Sequence, residues 1–171
     1  DLHQLRAARC QAGAQGRRLA QGGRGVGSGG AGTSVGGHMI LGIGTDIVSI
    51  ARIREALDRH GAQFAQRILS DAELLALNDV KDPVPWLAKR WAAKEAFGKA
   101  AGSGVRAPLS LAAIGVDHDA AGRPLFELSA AVVQALQARG VERIHLTLSD
   151  ERDYAVAFVV FEGSSPSASS I

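Results

Sequence analysis

The sequence predicts an α+β domain built on a largely antiparallel sheet. Three observations point there. Residues 39–48 and 144–162 alternate with the period of strands. Stretches near residues 50–59, 86–101 and 130–139 carry helical spacing with end signals. Strands and helices do not alternate regularly, which argues against a parallel βαβ sheet.

From Met39 to Val48, Leu41, Ile43 and Ile47 point one way, while Ile40, Gly42, Gly44 and Asp46 point the other. Two glycines on the face of Asp46 are expected to leave it bare for a ligand. Ser49 can cap a helix from Ile50 to Arg59, which stops at Gly61. Ile50, Ile53 and Leu57 form its apolar stripe. Arg52 and Arg59 share a face, with Arg54 elsewhere on the polar side, and together they suit an acidic partner. After Phe64–Leu69, Ser70-Asp71-Ala72-Glu73 has capping-box spacing and starts a short helix ending near Asn78. Pro83 and Pro85 break the chain, Pro85 suits the first turn of a new helix, and that helix runs from about Trp86 to Ala101 and ends at Gly102. Short strands follow at 111–118 and 125–128, joined by a turn at 120–124. Ser129 caps a helix from Ala130 to Arg139, closed by Gly140. Ile144, Leu146 and Leu148 alternate as a strand, 150–153 turns, and Tyr154 to Glu162 returns as an apolar strand.

The segments outside 39–162 read differently. Residues 1–38 hold 11 of the 21 glycines. Such a composition buries too little apolar surface to order itself. Met39 is the sole methionine and follows Gly37-His38, so 1–38 reads as a tag- or vector-derived leader and 39–162 as the working domain. Residues 163–171 form a Ser-rich tail expected to be disordered. Five arginines against one aspartate put +4 on residues 1–38, which leaves −2 of the net +2 on residues 39–171. The sequence pI of about 9.0 therefore belongs to the leader, and the domain gives no reason to expect nucleic acid. The single cysteine, Cys10, also lies in the leader. A disulfide framework is excluded and a cytoplasmic setting favoured. No apolar run approaches the roughly 20 residues of a membrane span.

Chemistry concentrates in Arg90-Trp91-Ala92-Ala93-Lys94-Glu95-Ala96-Phe97-Gly98-Lys99-Ala100. At 100° per residue, Glu95 falls between Trp91 and Ala88, with Lys99 one turn further on the same side. An acid on such a small, close-packed face is either buried and paired or turned to a ligand. Asp46 offers a second carboxylate. Two carboxylates without a histidine or cysteine cluster suit a hard cation such as Mg²⁺, which takes carboxylates, waters and phosphate oxygens. His60, His118 and His145 show no zinc-ligand spacing. Lys94, Lys99 and the Gly102-Ser103-Gly104 loop then suit phosphate groups. No serine, cysteine or lysine stands in a nucleophile setting, so the attacking group is expected from a second substrate.

These stretches resemble bacterial holo-acyl-carrier-protein synthases, the small 4′-phosphopantetheinyl transferases. The resemblance rests on Met39–Val48, Phe64-x-x-Arg67-Ile68-Leu69-Ser70-x-x-Glu73, Arg90–Ala100, Leu146–Asp150 and Tyr154–Ala157. It implies transfer of 4′-phosphopantetheine from coenzyme A to a serine of apo-acyl carrier protein, with Mg²⁺, in a homotrimer whose active sites lie between subunits. It implies that Asp46 and Glu95 hold the metal, that Lys99 joins them in catalysis, and that Lys94 and Lys99 hold coenzyme A phosphates. Gly102, Ser103 and Gly104 would run beside these, Gly122, Pro124 and Ser149 near the adenosine. Arg52 and Arg54 would meet the acidic carrier protein. Either Glu95 or a water beside the metal would take the serine proton. Many members carry a histidine where this chain has Asp150. Two other readings stay open: a non-catalytic coenzyme A or nucleotide-binding module, and a Mg²⁺-dependent pyrophosphohydrolase.

Overall fold

A computed structural model describes residues 38–164. The expectations for residues 1–37 and for the Ser-rich segment past residue 164 lie outside the described residues. The elements run β1 (Met39–Ser49), α1 (Ile50–His60), α2 (Ala62–Ile68), α3 (Asp71–Ala76), α4 (Pro83–Ala100), β2 (Ile114–His118), β3 (Pro124–Leu128), α5 (Ala130–Gln137), β4 (Val141–Asp150) and β5 (Tyr154–Gly163). Strands β1, β5 and β4 form an antiparallel sheet with β5 in the middle, and β2 with β3 forms a separate antiparallel hairpin. The expected α+β architecture is the one observed. Strand β5 runs one residue beyond its expected end, because Gly163 pairs with both Met39 and Val141. No described helix is long and apolar enough to cross a membrane.

The helix ends follow local chemistry. Ser49 stands at the start of α1, yet its side chain makes no capping bond. The Ile50 N–H donates instead to the Asp153 carbonyl at 2.9 Å, which ties α1 to the β4–β5 turn. Gly61 stops α1 at φ 52, a conformation open to glycine, and its N–H returns to the Leu57 carbonyl. Helix α2 follows at once and buries Ala65 and Ile68. The α3 capping box is complete: the Glu73 N–H donates to Ser70 Oγ at 3.3 Å, and the Ser70 N–H to Glu73 Oε2 at 2.8 Å. Ser70→Ala should lower stability by about 1 kcal/mol, read as a lower denaturation midpoint with no change in slope. Helix α4 starts at Pro83 rather than Trp86. Asp82 accepts from the Val84 N–H, and both prolines sit in the first turn, where the missing N–H groups have no intrahelical acceptor.

Helix α4 is the centre of the core. Ala92, Ala93, Ala96 and Phe97 are fully buried, and Phe97 meets Phe126 of β3 and Phe161 of β5 edge-on at 4.9 and 5.0 Å. The helix crosses β1 very closely. A Cβ on Gly44 would stand 1.9 Å from the Ala96 carbonyl oxygen, and one on Gly42 would stand 2.1 Å from that of Ala100. These glycines thus admit the α4 backbone rather than leaving Asp46 bare for a ligand. The cross-strand pairs also sort the faces. Asp46 shares the helix-facing side with Ala157 and Leu148. Ile43 and Ile47 take the outer face and are 54% and 64% exposed. Leu41 leaves their row, because the register shifts between Ile40 and Gly42 and its side chain packs against the core.

Candidate functional site

Asp46 and Glu95 are brought together where α4 lies over β1. Asp46 sits near the end of β1 with its side chain largely covered, and Lys99 reaches it across the helix–strand crossing. The Lys99 ammonium donates to Asp46 Oδ1 at 2.8 Å and to the Thr45 carbonyl at 2.9 Å. Glu95 lies one helical turn before Lys99. Burial raises its carboxyl above the usual value, and the negative charge of Asp46 adds to the shift while Lys99 opposes it. The two carboxylates are near enough to feel each other's charge, and Lys99 relieves part of that effect. The arrangement is two carboxylates and a half-exposed lysine side chain at the helix–strand crossing. Among the described residues no group of three or more His, Cys, Asp or Glu could hold a metal. Two carboxylates suit Mg²⁺, whose remaining positions go to water and phosphate oxygens.

Lys94 does not belong to this site. Its side chain has no exposed surface and points away from it, into the core. The ammonium donates to Glu73 Oε2 at 2.6 Å, to the Leu111 carbonyl at 3.0 Å and to the Ile68 carbonyl. Burial pushes it down to about 8, with Glu73 opposing. The expected phosphate contact is excluded, because all three ammonium hydrogens are engaged inside the protein.

The loop after α4 folds back on the helix. Gly102 and Gly104 have φ of 69° and 65°. Their N–H groups donate to the Lys99 and Gly98 carbonyls at 2.9 and 3.1 Å, so these two amides cap the helix and are not open phosphate donors. Ser103 is exposed between them, its Oγ donating to the Gly104 carbonyl. Gly122, at φ 81, and Pro124 lie at the β2–β3 turn, outside the sheet that carries Asp46. Asp119 holds that turn by accepting from the N–H groups of Ala121 and Arg123 and from the Arg123 guanidinium. Ser149 pairs with Val156, which pairs with Ile47, so its side chain takes the outer sheet face, opposite Asp46. Within one chain the two do not meet. Asp150 pairs with Lys89 of α4 at 3.2 Å. Arg52, Arg54 and Arg59 are exposed along α1. The capping-box spacing signalled Glu73, but its pairing with Lys94 and Arg90 crosses to α4, and no local pattern carries it.

Residues 42–159 match the family described as the 4′-phosphopantetheinyl transferase superfamily. The chain is 55% identical over 125 residues to a holo-[acyl-carrier-protein] synthase of Laribacter hongkongensis, covering 73% of this chain and 100% of the relative. Among solved structures, the holo-[acyl-carrier-protein] synthase of Neisseria meningitidis superposes with a TM-score of 0.71 at 49% identity, over 72% of this chain and 98% of that one. The synthase from Bacillus anthracis, solved in complex with CoA (3′,5′-ADP), gives 0.62 at 35% identity, over 74% and 99%.

Proposed function

The chain belongs to the 4′-phosphopantetheinyl transferase superfamily, and we infer that it works as a holo-[acyl-carrier-protein] synthase. It transfers 4′-phosphopantetheine from coenzyme A to a serine of apo-acyl carrier protein and releases adenosine 3′,5′-bisphosphate. The observation that carries this is identity of 55% running through the whole length of a relative with that name. A gel-shift of apo-carrier protein with coenzyme A tests it directly. No shift would favour a module that only binds coenzyme A. Release of phosphopantetheine without carrier protein would favour a pyrophosphohydrolase.

Asp46 and Glu95 are the residues that would hold Mg²⁺, supported by their mutual charge effect and the all-oxygen donor set. When bound, the metal offsets pyrophosphate charge and polarises the phosphoryl group under attack. Lys99 already reaches Asp46 with a side chain that is more than half exposed, so it can swing to a phosphate oxygen without leaving the site. The carrier serine oxygen bonds to the β-phosphorus as the bond to the bisphosphate oxygen breaks. Either Glu95 or a water beside the metal would take the serine proton. Lys94 has no part in phosphate binding. Gly102, Ser103, Gly104, Gly122, Pro124 and Ser149 stand as coenzyme A neighbours on the resemblance.

Arg52 and Arg54 form the carrier-protein patch, supported by their exposure on α1 beside the crossing helix. Arg52→Glu should raise the KM for carrier protein about tenfold while coenzyme A binding stays as it is. Carrier kinetics that do not change would reject the patch.

A homotrimer with sites between subunits fits the outer face of the sheet. That face exposes Ile43, Ile47 and Phe158, apolar side chains that a second copy can cover. It also carries Ser149, which serves an Asp46 site only if that site belongs to another subunit. The use of coenzyme A and a carrier protein sets the enzyme in the cytoplasm.

A further inference from the structure

The buried charge cluster beneath α4 lies outside the transfer chemistry described so far. Glu73 is 3% exposed, Arg90 7% and Lys94 0%. Each Glu73 oxygen has two neighbours. Oε2 accepts from the Ser70 N–H and from Lys94, at 2.8 and 2.6 Å. Oε1 accepts from the Val116 N–H at 2.9 Å and lies 3.4 Å from Arg90 Nε. Arg90 also donates to the Val116 carbonyl and lies 3.3 Å from the centroid of the Trp86 ring. Through Lys94 the network extends to the carbonyls of Ile68 and Leu111. One glutamate and one lysine therefore tie α4 to the end of α2, the start of α3, the segment leading into β2, and β2 itself.

Such a network is a poor way to add stability. Replacing a buried ion pair by apolar groups of similar volume is often neutral or stabilising. What it adds is geometry, since every donor and acceptor has a fixed direction. Lys94 and Glu95 are consecutive residues and project about 100° apart around the helix. Holding the Lys94 ammonium at three acceptors therefore fixes both the rotation of α4 and its position along its own axis. The alanines and glycines at the α4–β1 crossing present no long side chains that would lock that register.

We propose that Glu73, with Lys94 and Arg90, is a positioning device for the transfer site, setting the register of α4 so that Glu95 and Lys99 face Asp46. This rests on Asp46 and Glu95 being the metal-holding pair. None of the three touches the substrate. Their effect passes through the helix, and a displacement of about 1 Å at reacting groups can lower a rate roughly 100-fold.

The test is the double variant Glu73→Gln with Lys94→Met. It removes the Glu73–Lys94 charge pair, leaves the Arg90 charge in place, and keeps an amide that can accept from Val116 and donate to a freed carbonyl. With the protein folded by its thermal midpoint, kcat should fall about 100-fold while the KM for carrier protein stays within about twofold, because α1 is untouched. Binding of Mn²⁺, followed by its spin resonance, should weaken about tenfold. A kcat within about threefold of wild type, with unchanged Mn²⁺ affinity, would overturn the proposal. Should the double variant fail to fold, Lys94→Met alone, which leaves Glu73 paired with Arg90, is read against the same thresholds. Mn²⁺ binding that ignores Asp46→Asn, alongside a lost kcat in the double variant, would refute the metal assignment and leave the positioning role standing.

Discussion

Glu95→Gln and Asp46→Asn should each fold normally and lose phosphopantetheine transfer by about 100- to 1,000-fold, the loss typical of removing one preorganised group that stabilises developing charge. The reason for intact folding lies in the pair itself. Glu95 is held above its usual carboxyl value by burial and by Asp46, so its charge is disfavoured in the native state and a neutral amide relieves that cost. Asp46 has one ion pair, to a lysine that is more than half exposed, which contributes little to stability. The chemistry is affected much more. An amide keeps the shape of the carboxyl and one acceptor oxygen but loses the charge that a divalent cation needs. Initial rates of holo-carrier formation at saturating coenzyme A, across a Mg²⁺ titration, check this. If either variant turns over near the wild-type rate at ordinary Mg²⁺, these two carboxylates do not hold the metal.

The elements of the fold were largely legible because their signals are local. The Ser70–Glu73 spacing names its own hydrogen bonds, and both form. The positive φ of Gly61, Gly102 and Gly140 marks three helix ends that residue type alone indicates. The pairing of Asp46 with the Glu95 face was legible for a different reason. Charged residues on close-packed surfaces stand out, and only two stretches had one. Three things did not show. Lys94 reads as a phosphate ligand because a lysine beside a glutamate in a small-residue helix looks the same whether its stem points outward or inward. Its partners come from Ile68, Glu73 and Leu111, distant in sequence. The outer placement of Ser149 depends on the register of β4 against β5, which alternation does not determine. Pro85 reads correctly as a first-turn residue, but Pro83 reads only as a break, although it opens the same helix. For Lys94 and Ser149 the missing information was which segments meet, not what each segment prefers.

Gly44→Ala should be strongly destabilising. Its backbone is ordinary strand, so the cost is steric rather than conformational. The added Cβ would lie 1.9 Å from the Ala96 carbonyl oxygen and 2.5 Å from the Ala100 nitrogen. Both are backbone atoms of a buried helix, and neither can turn aside as a side chain would. To restore ordinary contact, α4 must lift from β1, which loosens Ala92, Ala93, Ala96 and Phe97 together. Overpacking of this kind costs roughly 3 kcal/mol or more. Chemical denaturation measures it, and a loss below about 0.5 kcal/mol, the range of a surface change, would mean that α4 does not approach β1 this closely. Transfer should fall with stability, because lifting α4 carries Glu95 and Lys99 away from Asp46. Gly42→Ala meets the Ala100 carbonyl oxygen at 2.1 Å and should act alike. Since both methyls press on the same turn of α4, one lift relieves both. The double variant should then cost clearly less than the sum of the singles. Full additivity would show two independent contacts in place of one rigid helix seated on two glycines.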